Sequence, residues 1–331
     1  MPKYGYLNIV GREVIPPSFS RAWNFSDFLA EARVDRESGF IDKGGHFVLP
    51  PQFSAAGPFK DGLAVIKKAN ITCVITKNGK IVATDNDINW LDRGGYRQGL
   101  LCAGKHKDKI GSCGFLDRDG NWAIEPQFGD VRPFSEGLAA FLDSHDTGLW
   151  GYINMKGEKV IPAQFPEAYR FSSGLAFVRS IKHKGYINRE GDYVFKDIDK
   201  CAFLSDFSDG LARIVFKCTG KNQKYEMGYL NTEGQWAIEP SYYIAQDFGC
   251  GVAAVRLSHK SDYIYINSLG EQVIDEEFYD AYPFSEDIAV VGSRGRYGLI
   301  NKEGKNVAGR RYNWLGNMAE GMVIFERSED V

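Results

Sequence analysis

The chain has 331 residues, with 40 Lys and Arg against 43 Asp and Glu for a net charge of −3, and 44% of its side chains are hydrophobic and 14% aromatic. So many large apolar groups describe a chain that folds and buries them, and the balanced charge gives no global field for nucleic acid or an anionic membrane. The N-terminal MPKYGYLNIVGREVIP has no basic stretch leading into an apolar one, and no segment reads as membrane-spanning. Neither a signal peptide nor membrane insertion is therefore expected, and a cytoplasmic location is.

From the N-terminus onward one motif recurs. Gly-aromatic-Ile/Leu-Asn/Asp-x-x-Gly begins at Gly5 (GYLNIVG), Gly39, Cys73, Gly114, Gly151 (GYINMKG), Gly185, Gly228, Ile264 and Gly298, with separations of 34, 34, 41, 37, 34, 43, 36 and 34 residues. Residues 1–331 thus read as one domain of nine repeat units. In GYIN the side chains alternate as a strand of period two requires. The Asn/Asp-x-x-Gly that follows predicts a hairpin turn: its first residue accepts backbone N–H bonds and its glycine takes positive φ.

A short apolar return strand such as VIP or AIEP comes next, ending near a proline where ladder pairing can stop. An aromatic stands fourteen residues after the unit start at Phe19, Phe53, Phe128, Phe165, Tyr242, Phe278 and Tyr312. The second motif, Phe-Ser-x-Gly-Leu-Ala-x-Val at its fullest, is anchored at Phe25, Phe59, Tyr96, Phe134, Phe171, Phe207, Phe248, Phe284 and Met318. Each unit is expected to hold three short strands in an all-β fold. Nine three-stranded units predict an open, curved, solenoid-like array, with a closed propeller-like ring as the alternative, because propeller blades normally have four strands and number four to eight.

The segments LWGYINMKGEKVIPAQF (Leu149 to Phe165) and KYGYLNIVGREVIPPSF (Lys3 to Phe19) resemble the bacterial WG-repeat family, also called the KWG repeat. The resemblance covers essentially the whole chain, although the literal Trp-Gly pair occurs only at Trp150-Gly151. It implies a β-rich region that presents a surface in a bacterial protein. It implies no reaction and supplies no catalytic residue; immunity towards a toxin and assembly within an effector system are roles associated with it only at family level.

The residues agree with a non-enzymatic reading. HExxH, GxxxxGK[ST] and GxSxG are absent, as is any Cys/His ligand cluster, so no metal and no cofactor is expected. The six cysteines, Cys73, Cys102, Cys113, Cys201, Cys218 and Cys250, are scattered and read as reduced thiols, with Cys102 and Cys113 placed to bridge one loop. His46, His106, His145, His183 and His259 fall in loops and strand margins. Asp27, Asp61, Glu136, Asp209 and Glu286 recur at one repeat position and predict an acidic edge of structural origin.

Length variation collects in the connection from the Gly-Leu-Ala strand to the next Gly-Tyr-Ile-Asn strand, and those connections are rich in lysine. Lys105, Lys107, Lys182, Lys184, Lys221 and Lys224, with Tyr225 and Tyr263, are the expected contacts for a macromolecular partner, foremost an acidic protein. A glycan-binding or carbohydrate-active protein is the competing class, favoured if Trp90, Trp150 and Trp314 share an exposed groove with paired carboxylates. Self-association is a further alternative. Nucleic acid is disfavoured, since it needs a continuous basic path that the acidic turns interrupt.

Overall fold

The computed structural model describes residues 2–69, 71–84, 88, 90–105, 113–144, 146–196, 201–217, 225–293 and 295–327. These residues form short β-strands and no helix. The strands make nine small antiparallel sheets, eight of four strands and one of three. The chain divides into two compact units, Phe25–Asp197 and Met1–Asn24 with Ile198–Val331.

One sheet of the Phe25–Asp197 unit illustrates the rest. A two-residue strand, Asp130–Val131, leads through the Ser-Glu-Gly turn into Leu138–Leu142, then Trp150–Asn154, then Lys159–Phe165. Consecutive strands are hydrogen-bonded neighbours, with Ala140 opposite Tyr152 and Tyr152 opposite Ile161. We refer to these as the first to fourth strands of a sheet.

The expected three strands per unit are corrected to four. The segment after the Pro-x-Phe aromatic pairs two residues with the second strand, as Asp130 and Val131 do with Leu142 and Phe141. Ala55–Ala56, Ile244–Ala245 and Asp280–Ala281 repeat this. The Ile264 unit departs from the pattern: VIDEEF replaces the usual Val-Ile-Pro-x-x-Phe, and only the isolated bridges Tyr263–Phe278 and Ile266–Gln272 stand where a fourth strand would run.

The alternation in Gly-Tyr-Ile-Asn buries both faces. Tyr152 packs with Phe165 and Phe171, whereas Ile153 packs on the other side with Phe128, Phe134 and Phe141. This sheet is therefore packed against a neighbour on each face, and Ala139 and Ala176 sit buried where larger side chains would hold the sheets apart. The Tyr152 hydroxyl donates to the Tyr169 carbonyl at 2.6 Å, and Tyr229 does the same to Gln246 in the other unit.

The motif glycine has a steric cause. The third and fourth strands are bulged around it, and a Cβ on Gly228 would lie 2.6 Å from the Ile238 carbonyl oxygen and 2.7 Å from the Pro240 nitrogen. Glycine is thus required there by close backbone approach rather than by a positive φ.

In the second unit the sheet order is Glu13–Phe19, Lys3–Asn8, Met322–Arg327, Trp314–Leu315. Leu7 stands opposite Val323 and Tyr6 opposite Ile324. The expectation of an open solenoid-like array is therefore corrected: the strand connectivity is that of the propeller-like alternative. The reason lies in the phase of the repeat. A unit that starts at the Gly-Tyr-Ile-Asn strand contributes third and fourth strands to one sheet and first and second strands to the next. Half a sheet is left over at each end of the chain, and the two halves pair, covering edges that would otherwise be exposed.

Candidate interaction surface

Antiparallel pairing sorts the connections of every sheet between two ends. The first-to-second and third-to-fourth turns lie at one end, and the second-to-third loop lies at the other.

The turn end is built from internally satisfied hydrogen bonds. Asn154 Oδ1 accepts the N–H groups of Lys156 and Glu158 at 2.9 and 3.1 Å, and Asp117 and Asn231 repeat the pattern, as the sequence predicted. The recurring acids lie at the turn end of their own sheets, each bonded onward to the next turn within its unit. Asp61 accepts from Gly99 N–H at 2.9 Å, Glu136 from Ser173 and Gly174 at 2.8 and 2.9 Å, and Asp209 from Gly251 at 2.7 Å. Beside them the Ser135 hydroxyl donates to the Phe171 carbonyl at 2.7 Å, and Ser208 to Phe248 likewise. Serine and acid in the second motif therefore tie these turns to their successors.

The loop end holds those of the expected partner-binding residues that are described. Lys107, Lys221 and Lys224 lie outside the described residues. Lys105 follows the strand Leu101–Gly104, with its Nζ 4.0 Å from a Glu125 carboxylate oxygen and 5.6 Å from the Trp122 ring centre. Lys182 and Lys184 share one hairpin. Lys182 is exposed at its tip, and Lys184 opens the strand Lys184–Ile187 opposite Arg179. The tip is held by Ser180, whose N–H donates to the His183 carbonyl at 2.6 Å and whose Oγ accepts the His183 N–H at 2.8 Å. In the other unit Tyr225 opens the strand Tyr225–Asn231 at 44% exposure, and the Arg256 guanidinium lies 5.2 Å from the Tyr263 ring centre.

The sequence reading missed the apolar members of this end. Ile181 is 92% exposed at the tip beside Lys182, and Leu257 is 57% exposed in the corresponding loop of the other unit. The available signal was a lone aliphatic residue inside a polar loop, as in RSIKHK.

The features named for a glycan site stand at unlike positions. Trp90 and Trp314 lie on first strands, whereas Trp150 opens a third strand, half-buried under the Arg132 guanidinium at 4.8 Å. Among the described residues no group of His, Cys, Asp and Glu is arranged to hold a metal ion. The bridge considered between Cys102 and Cys113 is not formed; burial pushes the Cys102 thiol up.

One buried carboxyl was also missed. Glu31 stands on the second strand Ala30–Val34, where the corresponding residue of another sheet is Val65, and the Ser38 hydroxyl donates to it at 2.6 Å. Desolvation raises its pKa, against the lowering effects of the Ser38 bond and of Arg33 and Arg93.

Comparison with known proteins places these features in a wider group. A family described as WG containing repeat matches residues 4–35, 39–70, 114–142, 150–180, 227–259, 265–296 and 297–327. No curated protein matches the chain. Among solved structures, a crystal structure of the eukaryotic initiation factor is similar with a TM-score of 0.62 at 10% identity, covering 98% of each chain. At that identity the likeness concerns the fold alone. BamB from Moraxella catarrhalis (TM-score 0.42, 14% identity, 93% of this chain and 100% of that one) and the WD40 domain of SCAP from fission yeast (0.41, 9%, 98% of each) are more distant.

Proposed function

The chain belongs to the WG-repeat family, and from that premise we propose that it is a non-catalytic recognition scaffold that binds an acidic protein partner through its second-to-third-strand loops. The observation that carries this reading is the Ile181-Lys182 tip, where an aliphatic side chain stands 92% exposed next to an exposed lysine on a loop fixed by its own Ser180–His183 bonds. Burying such an isoleucine against a partner is worth about 1.5–3 kcal/mol. The neighbouring lysines Lys182 and Lys184 add long-range attraction to carboxylates and set orientation. Leu257 and Tyr225 supply exposed apolar surface in the same class of loop.

The rigid loop matters as much as its composition. A side chain already held in place loses less entropy on binding. The test is affinity capture from the native lysate, read by mass spectrometry, comparing the wild type with Ile181→Glu/Lys182→Glu. A stoichiometric protein captured by the wild type and lost with the variant is the expected result; a partner retained equally by the variant would rule out the loop surface.

A further inference from the structure

Cross-strand pairing puts three side chains in a row on the sheet formed by the two chain ends. Glu326 stands opposite Trp314 on one side and opposite Tyr4 on the other. Residues directly opposite one another share a face, so an aromatic ring, a carboxylate and a second aromatic ring lie side by side. The same row reads Asp130–Leu142–Trp150 and Glu167–Arg179–Lys184 in two sheets of the other unit, with at most one aromatic. Leu315 and Phe325, one residue along, point the other way into the core, so the row is not part of that packing.

Trp314 is 42% exposed, and its ring meets that of Tyr4 edge to face, with centres 6.2 Å apart and planes at 83°. The Tyr4 hydroxyl donates to Glu326 Oε2 at 3.1 Å. Burial and the Glu326 charge raise its pKa, against the lowering effect of the Arg21 guanidinium, so it stays protonated as the donor. Among the described residues Glu326 Oε1 has no hydrogen-bond partner, and it is open to solvent. One carboxylate oxygen is thus held by the tyrosine while the other stays available beside the indole. Arg21 is exposed and its charge is felt at the Tyr4 hydroxyl. With a carboxylate and a guanidinium both present, net charge selects neither an anion nor a cation.

We infer that Trp314, Glu326 and Tyr4 form a subsite for a neutral sugar residue, whose C–H face packs on the exposed indole while its hydroxyls donate to Glu326 Oε1. A polyhydroxylated ring suits the row because it is apolar on its faces and polar at its rim. Its hydroxyls both donate and accept, so it meets Glu326 and Arg21 without a net charge of its own. The row supplies one carboxylate, whereas glycoside hydrolysis uses two, so the subsite binds rather than cleaves. Ile181 and Lys182, which carry the protein-binding reading above, belong to the other unit and take no part in it.

The test titrates the full chain with cellohexaose, maltohexaose and mannohexaose, followed by tryptophan fluorescence and saturation-transfer NMR. A peptide of alternating Lys and Leu and one of alternating Glu and Leu serve as charged comparisons. At least one of the sugars is expected to bind in preference to both peptides. Its affinity should fall about tenfold or more in Trp314→Ala and in Glu326→Gln, which keeps the size of the side chain, and stay unchanged in Ile181→Glu/Lys182→Glu, which separates this subsite from the loop surface. Trp314→Ala and Glu326→Gln should each melt within about 4 °C of the wild type, because the row lies outside the core. The inference is overturned if none of the sugars binds, if either peptide binds more tightly than the sugars and loses affinity in the same variants, or if Trp314→Ala or Glu326→Gln binds sugar normally. It is also overturned if a variant that loses binding melts more than about 4 °C lower, which would make the row part of the fold.

Discussion

The two ends of a sheet are built to different rules although the same strands run between them. At the turn end, side-chain oxygens from Asn154, Asn231, Glu136 and Asp209 each take backbone N–H groups, and the same residue types recur along the chain because the same donors recur. At the loop end, the connection after Lys68 is nearly minimal, while that between Gly104 and Cys113 spans eight residues. Repetition is strict where backbone groups have to be satisfied locally and relaxed where water can satisfy them. The teaching is that a residue breaking the strict end is more informative than one varying the relaxed end.

Substitutions can break this contrast. The largest effect is expected from Gly228→Ala, which drives a methyl group into the Ile238 carbonyl and the Pro240 nitrogen. A loss of about 3 kcal/mol in urea unfolding is anticipated; a loss below about 1 kcal/mol would mean that the bulge relaxes. Glu136→Gln comes next. Glutamine is neutral and has one acceptor oxygen, so the Ser173 or the Gly174 N–H loses its acceptor, with an expected cost of about 1 kcal/mol and faster hydrogen exchange at that amide. The equivalent test at the loop end, Lys182→Gln, should stay within about 0.5 kcal/mol of the wild type. Equal effects at the two ends would erase the distinction.

Glu31 sharpens the comparison from the middle of a strand. Its folded pKa is raised by burial, so the stability it contributes is fully present below the ordinary glutamate range and is lost as pH rises through the raised value. Glu31→Gln keeps the size and an acceptor for Ser38 while removing the charge. Its stability should therefore depend less on pH than that of the wild type across the interval above pH 4.5. Identical pH profiles for the two proteins would show that the carboxyl is solvated in the fold.

Much of the architecture could be read in advance because its causes are local. Asn154 and Gly157 mark a turn by their own donors, acceptors and backbone freedom, and the alternation in GYIN marks a strand by its period. The two-residue first strand escaped notice since Asp130 and Val131 are too few to show a period. The acidic positions were recognised as structural, but their partners, some 35 to 42 residues away, belong to the neighbouring turn. Ile181 looked like an ordinary apolar residue, because exposure is a property of the folded chain.

The amino-acid sequence by itself determined the repeat, its turns and its all-β character, since each follows from interactions between residues close along the chain. Only the tertiary structure decided how the repeat is divided among sheets. Whether Leu7 meets solvent or Val323 depends on a pairing across more than 300 residues. No local propensity encodes that pairing; it follows from the two half-sheets at the chain ends covering each other's exposed edges.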